Sequence, residues 1–114
     1  MKKLNMDIVH KNLASGKWFT LPLMEQLGNI GSEVSRAAMA KGKDEQRFEN
    51  AFLRALELFD LTLEDTRWNG RQREIARARE LFCAAAVGES EYHTSLEDLD
   101  RYFLPFAIAA RRGK

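Results

Sequence analysis

The chain has little of several things that would narrow its chemistry. One cysteine, Cys83, stands among 114 residues. A lone cysteine excludes an internal disulfide and suits a reducing compartment, so the expected location is cytoplasmic. The two histidines, His10 and His93, have no Cys, His or Asp neighbour at metal-ligand spacing, which argues against a zinc site. Valine is scarce, and no segment alternates apolar and polar residues over a useful length, which argues against a sheet. No window approaches 18 apolar residues, so neither a transmembrane helix nor a membrane partner is expected. The start, MKKLNMDIVHKN, is basic but lacks the apolar run of a signal peptide. A net charge of +1 gives no global attraction to nucleic acid. There is no G-x-S-x-G, Walker A or dinucleotide-binding motif, and no cofactor is expected.

Apolar residues at helical spacing are plentiful. Residues 1–17 are weakly periodic and read as a short N-terminal extension in which Leu4, Ile8 and Val9 offer one helical turn. Residues 18–114 read as a single helical-bundle domain. Thr20 is the expected N-cap of the first long helix, with Pro22 in its first turn and Phe19 stapled onto Met24. Leu23, Leu27, Ile30, Val34 and Ala37 form its apolar stripe, and Gly42 ends it. Asp44 caps a second helix whose face carries Phe48, Ala51, Phe52, Ala55, Phe59, Thr62 and Leu63. That helix fades near Asp65-Thr66. Asn69-Gly70 is a turn signal near the start of a third helix, which has a stripe of Ile75, Ala78, Phe82, Ala85 and Ala86 and ends at Gly88. Ser95 caps a fourth, with Asp98 as its capping-box partner. Leu99, Phe103, Phe106 and Ala110 continue inward, and Pro105 kinks that helix or removes one hydrogen bond. The expected fold is all-α, an antiparallel four-helix bundle.

Charge supports this order. Residues 1–43 carry seven Lys and Arg against three Asp and Glu, whereas residues 44–66 carry two against seven. Residues 67–80 carry five arginines against two glutamates. Consecutive helices of opposite charge favour pairing as neighbours.

The first helix also carries a stripe of small residues, Gly28, Gly31, Ser35 and Ala38. Each interior glycine costs about 1 kcal/mol relative to alanine, so something must come close to that backbone. Leu53 and Leu61 lie on the otherwise polar side of the second helix. Together with Gly28, Gly31 and Ser35 they are the candidate contact surface for a homo-oligomer or another protein partner. The polar face of Glu25, Asn29, Ser32, Glu33 and Arg36 reads as a solvated face with a Glu33–Arg36 pair, or as a binding face using Asn29 and Arg36.

Two other clusters suggest chemistry. Glu57, Asp60 and Glu64 share a helix face and could hold Mg²⁺. Helical nucleotide pyrophosphohydrolases pair E-x-x-E with E-x-x-D, and only Glu57-Leu-Phe-Asp60 fits here. Arg67, Trp68, Arg71, Arg73 and Arg77 could contact phosphates and stack on a base. The acidic second helix competes for those guanidiniums, and Arg71 and Arg79 are placed to pair with Glu57 or Asp60. Arg111, Arg112 and Lys114 suit the negative end of a helix dipole. Cys83 flanks a helix as a small apolar filler.

The run Glu25-Gln-Leu-Gly-Asn-Ile-Gly-Ser-Glu-Val-Ser-Arg-Ala37 resembles a family of small bacterial and archaeal helical proteins, as does Arg54-Ala-Leu-Glu-Leu-Phe-Asp-Leu-Thr62. The resemblance extends through Arg77-x-Arg-Glu80 and Tyr102-Phe-x-x-Phe106 to Ala110-Arg111. It implies a helical fold and adds no catalytic residues. The first two long helices are also similar to those of ribosomal-RNA intervening-sequence proteins, bundles that assemble into rings. HEPN nucleases carry an arginine followed four to six residues later by histidine, and no arginine here meets that pattern. The leading functional expectation is a non-catalytic, self-associating or partner-binding module. The alternatives are an RNA- or DNA-binding protein and a carboxylate-metal enzyme.

Overall fold

Asp44 and Ser95 set two of the helix starts by the chemistry of their short side chains. The Arg47 backbone N–H donates to Asp44 Oδ1 (3.1 Å). Asp98 N–H donates to Ser95 Oγ, and Ser95 N–H donates back to Asp98 Oδ2, both at 3.0 Å. The computed structural model describes residues 16–88 and 94–112. Among these residues the helices are α1 (Leu23–Ala40), α2 (Glu45–Glu64), α3 (Gln72–Ala86) and α4 (Leu96–Arg112). Short 3-10 turns at Lys17–Thr20 and Thr66–Arg71 precede α1 and α3. No strand occurs among the described residues. All but two residues of the expected 1–17 extension, with His10, His93 and Lys114, lie outside that description.

One start differs from expectation. Thr20 does not cap α1; its hydroxyl donates to the Lys17 carbonyl (2.7 Å) and closes the 3-10 turn. Pro22 stands at the N-cap instead, at φ −63° and ψ 156°. The cause is Pro22 itself, which holds Leu21 extended and stops the helix from beginning earlier. The other end is as expected: α1 stops before Gly42, where φ is 79°.

Neighbouring helices run antiparallel. Gln26 meets Asp65 and Glu33 meets Arg54 between α1 and α2. Asp60 meets Arg79 between α2 and α3, and Glu74 meets Tyr102 between α3 and α4. Gly31 lies against Phe103 and Gly28 against Ala107, which returns α4 onto α1. The result is an all-α, up-down-up-down bundle in which α1 packs most closely on α2 and α4.

The core is a run of aromatic rings threaded through Ile30 and Val34. Phe52 meets Phe82 at 5.3 Å between centroids, Phe59 meets Phe82 at 5.9 Å, and Phe59 meets Phe103 edge-on at 6.0 Å. Each such pair adds about 0.5–1.5 kcal/mol beyond area burial. Lys41 fastens the far end of α1, donating to the Ala86 carbonyl (2.6 Å) from above the Phe48 ring.

The small-residue stripe is what lets α4 approach. A Cβ on Gly31 would sit 2.7 Å from Phe103 Cβ. On Gly28 it would sit 3.3 Å from Ala107 Cα and from the Phe106 carbonyl oxygen. Gly28 and Gly31 therefore lie beneath a helix of the same chain and offer no surface to a partner. Pro105 does not end α4, which runs on to Arg112. It removes one donor, and Arg101 and Pro105 both face solvent, where water can serve the freed carbonyl.

Candidate functional site

The candidate residues from the sequence are dispersed or engaged within the fold. Asp60 is held by Arg79 (2.9 Å), away from a joint role with Glu57 and Glu64. Among the described residues no group of three or more His, Cys, Asp or Glu is placed to hold a metal ion. The arginine cluster is broken up by local pairing. Arg71 binds Glu74 (2.9 Å) and Arg77 binds Glu80 (3.2 Å). Arg67 binds Asp65 (2.6 Å) and covers a face of the Trp68 ring at 4.4 Å. Arg73 is exposed. Cys83 is half-buried, and burial pushes its thiol up, away from a reactive thiolate.

Leu53 and Leu61 do not form a surface pair. Leu53 is 41% exposed, but Leu61 is only 8% exposed and belongs to the core. The reason is that α2 packs against both α1 and α3, which widens its buried arc beyond one stripe. Ser35 is half-buried beside Asp100 and Leu104 in a groove of about 270 Å³ between α1 and α4. The polar face of α1 also departs from expectation. Glu33 is 9% exposed, and its carboxylate accepts from Arg36 (3.0 Å) and from Arg54 of α2 (3.3 Å). It is a clamp between helices, while Asn29 and Ser32 remain at the surface.

Sequence reasoning missed a buried polar hub where the two 3-10 turns meet α1 and α2. The Gln26 amide donates to the Trp18 carbonyl (2.9 Å) and to Asp65 Oδ2 (3.1 Å). Its oxygen accepts from Trp68 Nε1 (2.8 Å). The Trp18 indole donates to Thr62 Oγ1 (3.0 Å), which itself donates to the Leu58 carbonyl. Arg67 closes the hub through Asp65 and the Leu21 carbonyl (2.8 Å). Every buried side-chain polar atom among the described residues has a partner. A hub satisfied in this way fixes geometry and leaves no group poised for chemistry. The signal was available: Gln26 and Glu33, seven residues apart, both share the stripe of Leu23, Ile30 and Ala37.

The hub makes stability depend on acid. The Arg67 side chain, helped by the Gln26 amide, holds the Asp65 carboxyl down at about 2, well below the usual carboxylate range. Because the folded value is the lower one, the stabilisation is present above the unfolded value and is lost as pH falls through about 4 to 2. Its size is about 2 kcal/mol at neutral pH. An Asp65→Asn variant is expected to lose that amount at pH 7 and to show a flatter stability profile between pH 5 and 2. Urea titrations across this range check it; an unchanged slope would contradict the hub.

One contiguous apolar surface is not covered by any other described element. The inner side of α4, Leu99 and Phe103, is in the core. Its outer side is apolar as well: Leu104 is 51% and Ile108 42% exposed, and Pro105 and Ala109 beside them face solvent. Residues 102–110, YFLPFAIAA, contain no charged or hydrogen-bonding side chain except the tyrosine hydroxyl. A helix apolar on every side is normally covered on every side. Tyr102 is tied to α3 through Glu74 (3.0 Å), so the part that no other described residue covers is the Leu104–Ile108 side. Charged residues bracket it, with Glu97 and Asp98 in the first turn and Arg111 and Arg112 in the last. No helix among the described residues is long and apolar enough to cross a membrane. Comparisons with protein-family models, with curated proteins and with solved structures find no match to this chain.

Proposed function

We propose that this chain is a non-catalytic, self-associating helical module whose contact surface is the outer side of α4. The observation that carries this reading is the exposure of Leu104 and Ile108, with Pro105 and Ala109, on a helix whose other side is already in the core. Single exposed leucines need no explanation, but a contiguous apolar side between charged turns does. The polar groups of the Gln26 hub, the Glu33 clamp and the Asp60–Arg79 pair are spent on one another. Nucleic-acid binding through Arg67, Trp68, Arg71, Arg73 and Arg77 has less support, because Arg67, Arg71 and Arg77 are ion-paired within the chain.

A contact built from one helix side is at the small end of specific interfaces, so association is expected at about 10–100 µM. Light scattering after size exclusion tests the surface. The wild type is expected to gain mass with concentration, and Ile108→Glu to stay at one chain mass with unchanged helicity. Self-association that survives in Ile108→Glu would place the contact elsewhere.

A further inference from the structure

The ends of α4 indicate what lies on its outer side. Glu97, Arg101, Leu104, Ile108 and Arg111 follow one another at intervals of four, three, four and three residues, and all are exposed. That is the seam spacing of a helix that packs on another helix. Leu104 is at its centre, between Arg101 and Ile108, with an acidic residue at one end and a basic residue at the other. Arg101, inside the seam, already has its charge matched by Asp98.

We infer that the occupant is α4 of a second copy, laid antiparallel across Leu104; this rests on the self-association reading above. Leu104 is seven residues after Glu97 and seven before Arg111, so the three share one stripe of the helix. A two-fold axis at Leu104 places Glu97 of each copy beside Arg111 of the other, sets Leu104 against Leu104, and lays Ile108 along the aliphatic stem of Arg101 in the other copy. The contact is isologous and closes as a dimer. Parallel packing would instead set Glu97 against Glu97 and Arg111 against Arg111. Helix dipoles also oppose favourably in the antiparallel arrangement. The dipole alone accounts for acidic residues in a first turn and basic ones in a last turn. It does not account for Leu104 and Ile108 exposed between them.

The test is a charge-reversal series measured by sedimentation at low salt. Glu97→Lys and Arg111→Glu each turn two attractive contacts into two repulsive ones and are expected to weaken the dimer roughly tenfold. The double variant Glu97→Lys/Arg111→Glu restores opposite charges across the axis and is expected to return to within about threefold of wild type. Both positions are exposed, and circular dichroism checks that every variant folds. Singles as tight as wild type, with Ile108→Glu still monomeric, would overturn the antiparallel pairing and leave the α4 surface standing. A wild type that keeps one chain mass up to about 500 µM would overturn both, since something other than a second copy would then cover the face.

Discussion

Gly31→Leu is expected to unfold the protein or to cost at least about 3 kcal/mol, the largest effect of any single change in α1. Even a Cβ at this position would stand 2.7 Å from Phe103 Cβ, closer than two carbon atoms can approach. Phe103 cannot turn aside, because the conflict is at its own Cβ and its ring is wedged between Phe59 and Phe106. Relief would require α4 as a whole to move off α1. Gly31→Ala separates this contact from helix propensity. Propensity alone would stabilise the alanine variant by about 1 kcal/mol. The contact reverses the sign, with an expected net loss of about 1–2 kcal/mol. Gly28→Ala, where the nearest atoms lie at 3.3–3.4 Å, should lose less. Urea denaturation of the three variants checks the order, and a stabilised Gly31→Ala would show that α4 does not lie there.

Gln26→Leu is expected to cost about 3 kcal/mol although leucine matches glutamine in bulk and the site is fully buried. The substitution removes three hydrogen bonds together. Trp68 Nε1 loses its acceptor, and the Trp18 carbonyl and Asp65 Oδ2 each lose a donor. Trp18 and Trp68 both report the change, so near-ultraviolet circular dichroism should shift along with stability. Gln26→Glu is a sharper version. It keeps an acceptor for Trp68 but sets a carboxylate beside Asp65, where one of the two must take a proton. Its stability should therefore recover relative to wild type as pH is lowered from 7 to about 5. A Gln26→Leu variant within 0.5 kcal/mol of wild type would mean that the hub contributes little.

What could be read from the sequence was what is local. Asp44, Ser95 with Asp98, and Gly42 act on backbone groups within a turn, and each does what its type predicts. The stripes of α1, α2 and α3 are likewise properties of one helix at a time. The misreadings, Thr20 apart, concern the relation between elements. Thr20 was outweighed by Pro22, two residues away. Leu61 looks exposed on an isolated helix and is buried because α2 has two neighbours. Gly28 and Gly31 correctly announce a close approach, but the approaching body is α4 of the same chain. Gln26 has partners 8, 39 and 42 residues away, and no spacing rule joins positions so far apart. The outer side of α4 was visible in the run from Tyr102 to Ala110. It was obscured because Leu99, Phe103, Phe106 and Ala110 already explain one side of that helix, and the surplus of Leu104 and Ile108 stands out only once the inner side is filled.

Sedimentation equilibrium of the wild-type chain over about 5–500 µM tests the central claim most directly. Self-association through α4 predicts an average mass that rises from one chain toward two across that range and levels off at two. A mass that stays at one chain throughout would contradict it.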